Sequence, residues 1–210
     1  MIELHRTRTA HGEVLISLHR RSGAVGYLKN GSVQTLVDAQ GRNLAAHVDA
    51  AVELIKQNAA SRVLVLGHGG GAASSMLHRE GMDVVSVDCD PCAERLARLF
   101  FRAPPCVDVV VDDAANYVDT AAPSSFDALL VDFQDSATTP VAYLSETFWR
   151  ASVRLLQPGG ILLGNITDWL YLGPDWVVFR TVLAAAGLDS VSLSEEFGIG
   201  NRLLMYSSVR

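Results

Sequence analysis

The 210-residue sequence lacks a long apolar run. No stretch approaches the roughly 18 residues that cross a bilayer. The opening MIELHRTRTAHGEV has no apolar leader core, so neither a membrane nor a secreted location is expected and the cytoplasm is. Positive charge is also short: the net charge of −6 argues against a general nucleic-acid binder. Arg6, Arg8, Arg20, Arg21 and Lys29 gather early and read as a solvated edge. Cysteine is scarce. Among Cys89, Cys92 and Cys106 there is one Cys-x-x-Cys and no second pair, a weak basis for zinc, so no metal is expected. Cys92 falls near an expected helix start, which can lower a thiol pKa; small residues beside a ligand pocket are the favoured reading. Repeats, disordered composition and long linkers are missing too. With 49% hydrophobic residues the chain can bury one sizeable domain with a small appendage.

What is present centres on Arg62 to Pro91. Val63-Leu64-Val65-Leu66 fits a strand buried on both faces. It breaks into Gly67-His68-Gly69-Gly70-Gly71, and Ala72 to Arg79 reads as a helix. A second apolar run, Val84 to Val87, ends in Asp88. A glycine turn followed about 20 residues later by an acid matches a nucleotide-binding pattern. Gly67, Gly69 and Gly71 let a ligand approach the backbone, and Asp88 accepts from a ribose hydroxyl. A nucleoside-containing ligand is therefore expected. His68 either touches it or is simply exposed, the second being favoured.

Ahead of this stretch, Glu13–Leu18, Gly26–Leu28 and Val33–Val37 read as strands, the last two joined by Asn30-Gly31. Asn43 to Gln57 reads as a helix capped by Asn43, with Leu44, Val48, Ala51, Val52 and Ile55 on its apolar face. Residues 1–42 are thus expected to form a small β unit and residues 43–210 a Rossmann-like domain. In that domain strands near Arg62–Leu66, Asp83–Val87, Val107–Val111, Ala128–Val131 and Gly160–Asn165 alternate with helices near Ala72–Arg79, Pro91–Phe101, Ala114–Val118 and Tyr143–Leu156. Such alternation predicts a mostly parallel sheet wrapped by helices. After a helix over Asp175–Ala186, Val191–Leu193 and Arg202–Tyr206, with Gly198 and Gly200 between, read as a closing antiparallel hairpin. The expected fold is α/β, with seven strands in the main sheet.

Ligands of such sheets lie beyond the carboxyl ends of the strands. Asp88, Asp113, Asp132 and Asp135 all fall there, while Asp90 is expected to point elsewhere. Asp113 suits an adenine amino group, or is only a helix cap. Asp132 and Asp135 would face a second substrate.

Here the chain resembles a known family. Leu66-Gly67-His68-Gly69-Gly70-Gly71, Val87-Asp88-Cys89-Asp90-Pro91, Asp112-Asp113-Ala114 and Phe126 to Asp135 are similar to the spermidine synthase (polyamine aminopropyltransferase) branch of the class I S-adenosylmethionine-dependent transferases. Tyr143 to Trp149, Leu155 to Gly160 and Leu28 to Gln34 continue the likeness. The resemblance implies that Asp88 holds the ribose, Asp113 the adenine edge and Gln34 the cofactor from the β unit. It further implies that Asp132 orients and deprotonates an attacking amine, that Asp135 binds this acceptor, and that the β unit is a candidate homodimer surface.

The chain also departs from the family. Gly70 stands where an aspartate usually binds the amino end of decarboxylated S-adenosylmethionine, and Leu44-Ala45-Ala46-His47 stands where a Tyr-His pair is expected. Ser136 replaces the proline that often follows D-x-x-D. Without the turn acid, the carboxylate of ordinary S-adenosylmethionine is no longer repelled. The expected function is a transferase alkylating an acceptor, an amine by resemblance, from either cofactor form. Trp169, Tyr171 and Trp176 either hold that cation against their faces or pack a loop over the sheet. The alternatives are a methyltransferase with an unrelated acceptor, a nicotinamide oxidoreductase reading Gly67-x-Gly69-x-x-Ala72 with Asp88, and a non-catalytic cofactor-binding protein.

Overall fold

A computed structural model describes residues 1–134, 139–188, 190–197 and 200–208. The chain opens with a four-stranded antiparallel sheet in the order β1-β2-β3-β4: β1 Ile2–Thr9, β2 Gly12–Leu18, β3 Val25–Lys29 and β4 Ser32–Val37. Asn30 (φ 48°) and Gly31 (φ 85°) turn β3 into β4, the pair of positive φ angles an Asn-Gly hairpin requires. β1 is not among the strands expected from the sequence. It is an edge strand with exposed Glu3, Arg6 and Arg8. Charge on an edge protects against stray pairing and hides the alternation that marks a strand.

The main sheet has seven described strands in the order β10-β11-β9-β8-β5-β6-β7. These are β5 Arg62–Leu66, β6 Asp83–Asp88, β7 Asp108–Val111, β8 Phe126–Val131, β9 Leu156–Thr167, β10 Ser192–Leu193 and β11 Asn201–Ser207. β5 to β9 run parallel, and β11 pairs antiparallel with both β9 and β10. This is the Rossmann-like α/β fold expected from the sequence, with its closing antiparallel strands; Gly198 of that hairpin lies outside the described residues. The connecting helices are α1 Ala46–Gln57, α2 Ala72–Arg79, α3 Ala93–Phe101, α4 Ala114–Thr120, α5 Glu146–Arg154, α6 Asp168–Tyr171 and α7 Asp175–Ala185.

Strand alternation sorts the core onto two faces. Val63 and Val65 of β5 pack with Val48, Ala51, Val52 and Ile55 of α1. Leu64 and Leu66 pack on the opposite face with Trp149, Phe148 and Phe179. Burying a large apolar side chain in this way contributes about 1.5–3 kcal/mol. A third cluster joins the leading sheet to the domain: Val14, Ile16, Tyr27 and Val37 meet Leu96 and Phe101 of α3.

Several element boundaries differ from the sequence reading; β9, for one, begins at Leu156 and takes in Pro158-Gly159-Gly160 instead of starting at Gly160. α1 starts at Ala46 rather than Asn43, and Leu44 is exposed. Asn43 instead accepts from the Ala45 N–H and donates to the Asp49 carboxylate. Pro91 precedes α3 rather than opening it. The helix expected over Tyr143–Leu156 is a 3-10 turn, Val141–Leu144, followed by α5. Ser145 separates them, its Oγ accepting from the Phe148 N–H as an N-cap. No helix among the described residues is long and apolar enough to cross a membrane.

Candidate active site

One cavity of about 630 Å³ opens at the carboxyl ends of the parallel strands, under the leading sheet. That volume is ordinary for a small-molecule site. Gly67, Gly69, Asp88, Asp113 and Asp132 line it from the strand ends, and Tyr27, Lys29, Gln34 and Thr35 from the leading sheet. The described lining carries four aspartates, counting Asp112, against the single lysine Lys29. Such a wall favours a cation.

The glycine turn is set by steric demand. Gly67 has φ +102°, and a Cβ there would sit 2.3 Å from the Asp132 carbonyl oxygen. The ends of β5 and β8 therefore touch backbone to backbone. At Gly70 the obstacle is a side chain: a Cβ would stand 2.8 Å from Thr35 Cγ2 and 2.9 Å from Thr35 Cβ. The Gly70 N–H donates to Thr35 Oγ1 at 3.0 Å. Thr35 thus docks the leading sheet onto the turn and fills the space where any side chain at position 70 would begin. Gly71 (φ +74°) caps α2 and does not line the cavity; His68 Nε2 lies 3.0 Å from where its Cβ would be.

Asp88 ties the turn to β6. Its Oδ2 accepts from the His68 and Gly69 N–H groups at 3.0 and 2.9 Å, and its Oδ1 from the Asp90 N–H at 2.8 Å. A carboxylate offers about four lone-pair sites, so Asp88 keeps limited capacity for a ligand. Asp113 caps α4, its Oδ1 accepting from Ala115 and Asn116 N–H groups while the residue still lines the cavity. The cap reading of Asp113 is thus seen directly, and its place in the lining leaves the adenine reading open to the proposal below.

Asp132 follows β8, with its side chain 18% exposed. Its Oδ1 accepts from Asn165 Nδ2 at 2.9 Å and lies 3.9 Å from His47 Nε2. Burial pushes its pKa above the usual carboxylate value, and His47 and Asn165 pull it back only in part. Asp135 lies outside the described residues.

Several other readings need correction. His68 is not exposed: its ring folds beneath the turn, 6% exposed, with Nδ1 3.0 Å from Ser86 Oγ. Burial lowers its pKa and keeps the imidazole neutral. Cys92 is not activated by α3; burial and the neighbouring Asp90 carboxylate push its thiol up to about 12. Lys29 is no solvated edge residue, because its ammonium sits 3.8 Å from the buried Asp90. Asp90 does point away from the cavity, toward the leading sheet, and accepts from Thr9 Oγ1 at 3.0 Å. Tyr171 and Trp176 stack edge to face at 4.9 Å against the core, and Trp169 is 61% exposed. None of these three aromatics is among the described lining. The face of Tyr171 is taken by the chain's own Arg202, 4.5 Å from its centroid.

Thr35 and Asn165 were not singled out by sequence reasoning, and His47 entered only as the end of Leu44-Ala45-Ala46-His47, where a Tyr-His pair is expected. Asn165 carried a signal, because it ends the fifth expected strand just as the acids end the others. His47 lies one helical turn before Ala51 of the buried stripe.

Comparison with known proteins agrees with this geometry. A methyltransferase-domain family matches residues 64–164. The polyamine aminopropyltransferase of Mycobacterium tuberculosis is 33% identical over 167 residues, covering 74% of this chain. The chain is thus similar to polyamine aminopropyltransferases over about three quarters of its own length. Polyamine aminopropyltransferase 1 of Pseudomonas aeruginosa is 30% identical over 171 residues, 76% of this chain. A probable spermidine synthase from Corynebacterium glutamicum shares the fold, with TM-score 0.78 at 21% identity over 97% of this chain and 79% of its own. The chain spans only 31% and 58% of the lengths of the two curated relatives.

Proposed function

We propose that the chain is a spermidine synthase-like transferase that binds an S-adenosylmethionine-type cofactor and alkylates an amine. One observation carries this reading: Gly67 and Gly69 of the turn and three strand-end aspartates, Asp88, Asp113 and Asp132, share one acidic cavity. The residues fit the cofactor. The turn leaves room for it, Asp88 and Asp113 offer acceptors for ribose and adenine hydrogens, Gln34 approaches from the leading sheet, and the acidic wall suits a cation. When bound, the cofactor supplies a carbon already activated by a sulfonium leaving group.

The chain's part is alignment and proton handling. Holding two reactants in line can supply roughly 7–11 kcal/mol. Asp132 attracts the cationic acceptor and takes its proton, freeing the nitrogen lone pair. Burial raises the Asp132 pKa, which makes it a better base. Asp135, which lies outside the described residues, is assigned with it to the acceptor by the family resemblance of the D-x-x-D motif.

The reading of the cofactor form rests on Gly70, which lies against Thr35 and is not itself among the described cavity lining. With Thr35 in the space beside it, no acid stands there to repel a carboxylate. Ordinary S-adenosylmethionine is therefore accepted alongside the decarboxylated form. The test is transfer to putrescine from each form, followed by mass spectrometry, with Asp132→Asn as control. Product from the native chain and none from the variant is expected. Equal product from both would remove Asp132 from its role.

A further inference from the structure

β8 ends at Val131, which pairs with Gly164 of β9, and the residues that follow these two, Asp132 and Asn165, meet through their side chains. Asn165 is 3% exposed. Its backbone is held from two sides: it pairs with Leu203 of β11, and its carbonyl oxygen accepts from the Tyr143 hydroxyl at 3.1 Å. The side chain thus starts from a fixed backbone position. Its Nδ2 donates to Asp132 Oδ1 at 2.9 Å, while its own Oδ1 is buried with no hydrogen-bond partner among the described residues. An orphaned buried acceptor is expensive, so this amide is held for the donor it presents.

We propose that Asn165 is a positioning residue that aims Asp132, pinning Oδ1 so that Oδ2 is the oxygen turned to the acceptor. The inference rests on Asp132 being the base. Both described partners of the carboxylate, Asn165 and His47, lie on Oδ1, which leaves Oδ2 for the cavity. An N–H donor favours the ionised form, so the amide keeps a buried carboxylate charged and ready to accept a proton. Leucine has the size but no donor. Aspartate would set a second carboxylate against the first.

Among the described residues the titratable groups facing Asp132 are His47 of α1 and Tyr143 of the 3-10 turn. Burial and the Asp132 charge push Tyr143 well above its usual range. Neither is itself substituted in the variants below.

The experiment follows the Asp132 carboxyl by carbon NMR with carboxyl-labelled aspartate, the signal being assigned by its loss in Asp132→Asn. Asn165→Ala should raise the Asp132 pKa by about one pH unit or more. Asn165→Gln, which keeps a donor, should recover part of the shift. The acid limb of kcat/KM with putrescine should move by the same amount. Should Asn165→Ala unfold, Asn165→Leu, which keeps the size and has no donor, provides the same reading. An unchanged Asp132 pKa in a folded variant overturns the proposal. Turnover that survives Asp132→Asn overturns instead the assignment of the base, whatever the NMR shift.

Discussion

Replacing Gly70 by Ala tests whether Thr35, rather than backbone conformation, keeps position 70 bare. Gly70 is not in the left-handed region, so an alanine meets no torsional penalty there. The obstacle is contact, at 2.8 Å to Thr35 Cγ2, 2.9 Å to Cβ and 3.1 Å to Oγ1. Thr35 cannot step aside. It is 6% exposed, its β-branched side chain is stiff at χ1, and rotation would break the bond from the Gly70 N–H. Overpacking of this kind costs about 1–3 kcal/mol, or roughly 2–12 °C in Tm for a chain of this size. In a Thr35→Gly background all three contacting atoms are gone, and Gly70→Ala should cost close to nothing. Urea unfolding of the four proteins gives the coupling, expected at about 1–3 kcal/mol. Equal penalties in both backgrounds would refute the reasoning and leave Gly70 unexplained by Thr35.

Asp132→Asn should alter how stability depends on pH. The native pKa is raised, so between about 3.8, the ordinary value, and the raised one the folded chain binds more protons than the unfolded. Stability from this group is therefore lost as pH rises through that window, and the variant should lack the loss; parallel melts from pH 4 upward show whether the two curves converge on acidification. Asp90→Ala should cost about 3 kcal/mol, because it strands Lys29 and Thr9 at the joint between the sheets, with the urea midpoint as readout. In the native protein Cys106, which is exposed, should react fast with a thiol reagent, while Cys89 and Cys92 react slowly because burial raises both pKa values. Trp169→Ala should leave cofactor affinity within about twofold, since the side chain lies away from the described cavity lining; a tenfold loss would return the aromatics to the site.

What could be read in advance was what local sterics and periodicity decide. β5 and α2 were legible to the residue, because a buried strand, a glycine turn and a helix leave their marks within one short window. The strand-end acids were legible for the same reason. The environment of Asp132 was not. Its partner Asn165 is 33 positions away in sequence, and the Thr35 contact to Gly70 spans 35. Such pairings exist only once the sheets have formed. His68 misled because a histidine between glycines looks solvated, whereas the turn folds its ring inward onto Ser86. β1 was hidden by edge charges that serve to keep it unpaired.

The most direct test of the central claim is calorimetric titration of the purified chain with S-adenosylmethionine and, in parallel, its decarboxylated form. Saturable one-to-one binding of the ordinary form, comparable with the decarboxylated, is predicted. Preference for the decarboxylated form by tenfold or more would contradict the reading of Gly70, and heat from neither would contradict the assignment of the cavity itself.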